Sequence, residues 1–145
     1  MKKNVIIYGA SSLISLELIK LLDKDVSRFF LFCRKKNEIE NFLMDNNFDI
    51  KKFSIFEVDI LDIEKNLEYL NQIKSIDGII WVAGFSGDSG EELKDLDLSK
   101  KNVEINFLNP MLIINKILTK MTLSVESFLV VITSVAGLRG RGKNL

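Results

Sequence analysis

The sequence predicts an α/β fold: a doubly wound parallel sheet between two layers of helices. Three observations predict it. Apolar, β-branched runs alternate five times with segments of helical spacing, the pattern of a parallel sheet covered on both faces. The first run, Val5-Ile6-Ile7-Tyr8, stops at Gly9 and passes through small residues straight into a helical pattern. The segments richest in small and polar residues all fall at the carboxyl ends of the strands, where ligands bind in such folds.

Bulk composition suits one such domain over residues 1–145, long enough to bury a real core. Lys+Arg and Asp+Glu are 20 each, so the net charge is zero, and nothing asks for nucleic acid or an anionic membrane as partner. A hydrophobic content of 47% with one proline indicates a folded globular chain. The apolar runs all fall short of the roughly 18–20 residues of a membrane span. Lys2-Lys3 precede only a short apolar stretch ending at Gly9, which reads as a first strand rather than a signal peptide. The single cysteine, Cys33, excludes an internal disulfide and fits a reducing cytoplasm. Histidine is absent, which removes histidine triads and histidine metal sites.

In chain order, strand one covers Lys3–Tyr8 and its helix Ser12–Leu22, with Ser11 or Ser12 as cap. Strand two covers Arg28–Phe32, and a helix of mixed polarity follows over Glu38–Asp45. Strand three covers Lys52–Val58, and the next helix, capped by Asp62, runs over Ile63–Gln72. Strand four, Asp77–Val82, is a nearly continuous apolar run, as expected when both faces are covered. After the glycine-rich loop Ala83–Gly90, a long helix covers Leu98–Met121; Pro110 starts a new turn within it or kinks it. Strand five is Ser127–Thr133. The expected strand order is 3-2-1-4-5, a Rossmann-type three-layer α/β/α arrangement, with ligand outside the carboxyl ends of strands one and four. No internal repeat, linker or low-complexity segment interrupts it.

The strand–turn–helix at Gly9, Ser11 and Ser12 brings backbone N–H groups and a positive helix end to one point, which suits a phosphate. After strand two, a carboxylate would bind the ribose 2′-hydroxyl of NAD. Here Arg34 follows Cys33, and a guanidinium suits a 2′-phosphate through bidentate charge-assisted bonds. The expectation is NADP(H) in preference to NAD(H); a solvated basic turn over Arg34–Lys36 is the plainer alternative. Asp59 can accept from an adenine amino group or serve simply as a turn residue.

These segments resemble those of the short-chain dehydrogenase/reductase family, from the first strand to the last. Tyr8-Gly9-Ala10-Ser11-Ser12-Leu13-Ile14-Ser15 resembles its TGxxxGxG turn, with Leu13 and Ser15 where two glycines would stand. Asp59-Ile60 resembles the adenine-contacting pair, and Trp81-Val82-Ala83-Gly84 the NNAG segment. Asn106 matches the asparagine of the long helix, and Thr133-Ser134-Val135-Ala136-Gly137 the strand end that carries the catalytic serine. The resemblance implies a carbonyl/alcohol oxidoreductase. Gly9, Ser11, Ser12, Leu13, Ile14, Arg34, Asp59, Ile60, Ala83 and Gly84 would bind the nicotinamide dinucleotide. Ser134 would hydrogen-bond the substrate carbonyl, and Asn106 would support a proton relay.

The family also carries a YxxxK motif beyond that serine, its general acid/base and the lysine that tunes it. The matching position lies past Leu145, and Tyr8 and Tyr69 stand in earlier segments. The expectation is therefore the amino-terminal part of a reductase, inactive by itself, with an exposed fifth strand prone to pairing. A non-catalytic dinucleotide-binding module and a non-functional fragment are the alternatives. By the same resemblance the long helix forms half of a dimer interface, making a homo-oligomer possible. Leu138-Arg139-Gly140-Arg141 resembles a bacterial subgroup related to decaprenylphosphoryl-ribose 2-keto reductases, which implies a keto-sugar substrate for the full-length enzyme. A flexible basic loop is the alternative.

Overall fold

The strand Lys3–Tyr8 (β1) lies at the centre of a five-stranded sheet. The computed structural model describes residues 2–86 and 95–134. After β1 come α1 (Leu13–Leu22), β2 (Val26–Cys33), α2 (Lys36–Asp45), β3 (Phe53–Glu57), α3 (Ile63–Leu70) and β4 (Ser75–Trp81). The helices α4 (Leu96–Val103) and α5 (Asn109–Lys120) and the strand β5 (Thr122–Val131) follow. The strands run in the order β3-β2-β1-β4-β5, and every neighbouring pair is parallel. This is the Rossmann-type arrangement expected from the sequence.

The period of a strand distributes β1 between two cores. Val5 and Ile7 face a layer containing Ile19 of α1 and Ile39 and Leu43 of α2. Ile6 and Tyr8 face the other layer, with Leu70 of α3 and Ile113 and Ile117 of α5. All four β1 residues are buried, which explains an unbroken apolar run rather than an alternating one. Polar caps set the helix starts: Ser12 accepts from the Ser15 N–H, and Asp62 from the Lys65 N–H. After α2, Asn47 takes φ 56°, a conformation asparagine tolerates well. Among the described residues no helix is long and apolar enough to cross a membrane.

Most element ends differ from the sequence reading by a residue or two, and three differences have a visible cause. β2 begins at Val26 rather than Arg28, because Lys3 of β1 pairs with Val26. The long helix is interrupted by a π-helical turn at Glu104–Leu108. Pro110, in the first turn of α5, has no N–H to offer the carbonyl of Asn106 one turn back, so the regular ladder cannot pass through. β5 begins at Thr122 rather than Ser127, pairing Thr122 and Leu123 with Ser75 and Ile76. The ladder then shifts, and Phe128 stands opposite Gly78. The Phe128 ring fills the place a Cβ would take at Gly78. Among the described residues β5 pairs with β4 alone, and Leu129, Val130, Val131 and Ile132 are each more than two-fifths exposed.

Candidate functional site

The turn after β1 is built around one backbone conformation. Gly9 has φ +79°, and a Cβ there would lie 2.6 Å from the Ala83 nitrogen, so only glycine fits. Its N–H and that of Ala10 both donate to the Phe32 carbonyl, at 3.0 and 3.1 Å. Gly9 thus shapes the turn and has no N–H left for a ligand. The Gly9 carbonyl accepts from the Ser12 N–H at 3.0 Å and from Ser15 Oγ at 2.9 Å. Ser15 is fully buried. Standing where the resemblance would put a glycine, it ties the helix to the turn by a hydrogen bond. Leu13 and Ile14 open α1 with exposed side chains. Their N–H groups fall in the first helical turn, which has no preceding carbonyls to use them.

A cavity of about 340 Å³ opens at the carboxyl ends of the first four strands. Gly9, Ser11, Ser12, Arg34, Asp59, Ile60, Ala83 and Gly84 all line it. Four loop segments far apart in sequence therefore supply one space. Leu13, Ile14, Asn106 and Ser134 are not among its lining residues.

At the end of β2 the basic run divides. Lys35, just before α2, pairs with Glu38 at 2.7 Å, and Lys36 pairs with Glu40 at 3.4 Å. Arg34 is exposed at the cavity wall and has no ion pair among the described residues. Cys33 beside it is buried, and desolvation raises its thiol pKa to about 11. At neutral pH it is a protonated, unreactive wall residue.

The segment after β3 is folded on itself. Asp59 Oδ1 accepts from the Leu61 N–H at 2.9 Å, and the Asp59 carbonyl accepts from the Asp62 N–H at 3.1 Å. Asn66 Nδ2 donates to the carbonyls of Asp59 and Asp62, at 2.8 and 2.7 Å. Asn109 Nδ2 donates to the Ile60 carbonyl at 3.0 Å. Both asparagines are buried.

After β4, two substitutions for the resembled asparagines are answered locally. Trp81 Nε1 donates to the Ala83 carbonyl at 3.0 Å. The N–H groups of Val82 and Ala83 both donate to the Tyr8 carbonyl, at 2.9 and 3.0 Å. Asn106, in the π-helical turn, accepts from the Phe85 N–H at 2.8 Å and returns Nδ2 to the Phe85 carbonyl at 2.7 Å. It also donates to Asn102 Oδ1. Its amide thus holds the loop that forms the cavity's edge. Ser134 is exposed, three residues past β5. Gly87–Gly90 of the glycine-rich loop, the segment Val135–Gly137 and the tail Leu138–Arg141 lie outside the described residues.

Beneath the cavity runs a row of rings, one from each of β4, β1, β2 and β3. Trp81 stacks on Tyr8 at 4.4 Å, Tyr8 on Phe32 at 4.3 Å, and Phe32 on Phe56 at 4.8 Å. The Tyr8 hydroxyl is buried without a hydrogen-bond partner among the described residues, and burial raises its pKa well above the usual value. No cluster of three or more metal-ligating side chains occurs among the described residues. Sequence reasoning missed the polar work of Ser15, Trp81, Asn66 and Asn109. An asparagine within the apolar stripe Ile63, Leu67, Leu70 was the available signal for Asn66.

A family model described as short chain dehydrogenase matches residues 3–144. The chain belongs to the short-chain dehydrogenase family. Solved structures share the fold. A short chain dehydrogenase from Shigella flexneri is 19% identical with a TM-score of 0.83, the match covering 98% of this chain and 59% of that one. A protein from Brucella melitensis described as a short-chain dehydrogenase/reductase and glucose/ribitol dehydrogenase is 17% identical with a TM-score of 0.82, over 99% of this chain and 63% of that one. ElxO with NADPH bound is 23% identical with a TM-score of 0.80, over 99% and 60%. This short-chain dehydrogenase therefore spans about three-fifths of the length of these structures. No curated protein matches it in sequence.

Proposed function

We propose that this chain binds a nicotinamide dinucleotide in the cavity above β1–β4, NADP(H) in preference to NAD(H), as the nucleotide-binding portion of a carbonyl/alcohol oxidoreductase. The observation that carries the reading is the convergence of Gly9, Arg34, Asp59 and Ala83-Gly84 on one cavity. The N–H groups of Leu13 and Ile14 at the start of α1 receive the pyrophosphate, aided by the positive helix end. Arg34, with no ion pair of its own, takes the 2′-phosphate. Asp59 keeps one carboxylate oxygen for the adenine amino group, and Ile60 packs against the base. The chain's family and the NADPH bound to ElxO add support.

The residues present fit such a cofactor: the first-turn N–H groups of α1 have no preceding helical carbonyls to use them, and the only described guanidinium lining the cavity, Arg34, has no ion pair among the described residues. Bound nicotinamide supplies hydride chemistry. Ser134 orients the substrate carbonyl, and Asn106 holds the 82–86 loop from which a proton relay starts. Tyr8 and Tyr69 are the chain's two tyrosines; both pack with rings on the α3 side of the sheet. We therefore expect binding without turnover by this chain alone. Titration with NADPH, read by the fluorescence of Trp81, the single tryptophan, tests the reading. Saturable binding tighter than that of NADH is expected; tighter NADH binding or none would refute it.

A further inference from the structure

We propose that Asn66 and Asn109 are positioning residues for the adenine of the bound dinucleotide. They act by clamping the Asp59–Asp62 loop so that Asp59 offers a carboxylate oxygen to the base. This inference rests on the dinucleotide reading above.

The clamp comes from two helices. Asn66 reaches the carbonyls of Asp59 and Asp62 from α3, and Asn109 reaches the Ile60 carbonyl from the first residue of α5. Three carbonyls of one four-residue loop are thus held by two buried amides. Asn66 spends both Nδ2 hydrogens on this task. Its Oδ1 is buried with no hydrogen-bond partner among the described residues. An unsatisfied buried carbonyl destabilises a fold, and the position belongs to an apolar helix face with Ile63 and Leu70. Leucine there would pack and remove the orphan oxygen. The amide is therefore poor for packing and good for holding the loop. With the loop held, the Leu61 N–H engages Asp59 Oδ1, and Oδ2 stays available at the cavity wall. Without the clamp, this loop would be free to turn its carboxylate into solvent.

The test compares NADPH with its ethenoadenine analogue, in which the adenine amino group is consumed by an added ring. The unsubstituted chain should favour NADPH about tenfold, as one hydrogen bond to a charged group requires. Asn66→Leu should lose that preference while melting at the same temperature or higher. Asn109→Ala should lose part of it, and supplies the answer should Asn66→Leu not fold. Preference retained in both variants would overturn the clamp. So would an equal loss of affinity for both ligands together with a lower melting temperature, which marks a merely structural role. Binding without preference by the unsubstituted chain would overturn the Asp59 contact and the clamp with it. Failure of the unsubstituted chain to bind either ligand would instead overturn the dinucleotide reading itself.

Discussion

The indole Nε1 of Trp81 donates to the carbonyl of Ala83, two residues along its own chain, at 3.0 Å. This bond closes the end of β4 where the family resemblance would place asparagine side chains. Trp81→Phe keeps a ring in the stack with Tyr8 but loses the donor. It should cost about 0.5–1.5 kcal/mol, the net worth of one hydrogen bond to the half-buried Ala83 carbonyl, and should weaken NADPH binding. Thermal melting and calorimetric titration check both effects.

Gly9→Ala meets two obstacles at once. The backbone has φ +79°, and the new Cβ would press on the Ala83 nitrogen at 2.6 Å. The strained conformation and the overlap together should destabilise the fold by roughly 2–4 kcal/mol. Chemical denaturation of the variant measures this directly. A variant as stable as its parent would show that the turn is built differently.

Arg34→Ala separates the two cofactors. Hydrogen bonds to a charged group are worth about 1.5–3 kcal/mol, so NADPH affinity should fall by roughly ten- to a hundredfold. NADH affinity should hardly change. Equal losses for both cofactors would show that Arg34 does not read the 2′-phosphate.

Tyr8→Phe removes the buried hydroxyl that has no partner among the described residues and keeps the stacked ring. The variant should be as stable as the parent or more so, by up to about 1 kcal/mol. Comparison of the two denaturation midpoints decides. A loss of stability would reveal a partner for the hydroxyl.

Alkali should weaken the fold through Cys33. Its folded-state pKa is raised from 9.0 to about 11 by burial. The unfolded thiol releases its proton first, so the stability tied to the protonated thiol is complete below pH 9. It is lost progressively as pH rises towards about 11. Cys33→Ala should flatten this part of the stability profile, which denaturation at a series of pH values records. Tyr8, also raised by burial, adds a loss with the same sign above its usual range.

The fold was legible because two periods are written plainly in the chain. Runs such as Val5–Tyr8 and Ile79–Val82 have the look of strands buried on both faces, and the alternation with helices fixes the order β3-β2-β1-β4-β5. The cavity was legible as a position, since loops at one sheet edge must meet. What was hidden is how the loops are held. Ser15 replaces a glycine yet bonds to the Gly9 carbonyl. Trp81 replaces an asparagine yet supplies a donor. Asn66 and Asn109 sit among apolar neighbours yet point their amides at the backbone. Each is a hydrogen bond from a side chain to a backbone carbonyl, and no periodic pattern encodes it. The start of β5 was hidden for a related reason, because its first two pairs precede an irregular segment of the ladder.

The ring of Phe128 seated over Gly78 has a consequence for how the chain assembles. The stretch Leu129–Ile132 is uniformly apolar, so its pattern alone gives the strand little reason to choose one alignment over another. Gly78 is the notch in β4; the next β4 residue on its face is Ile80, in the core against which Phe128 packs. Sliding β5 by two residues in that direction would drive the ring into a branched side chain instead of an empty place. Ring and notch thus act as a key that favours the alignment in which the last strand is added to the sheet.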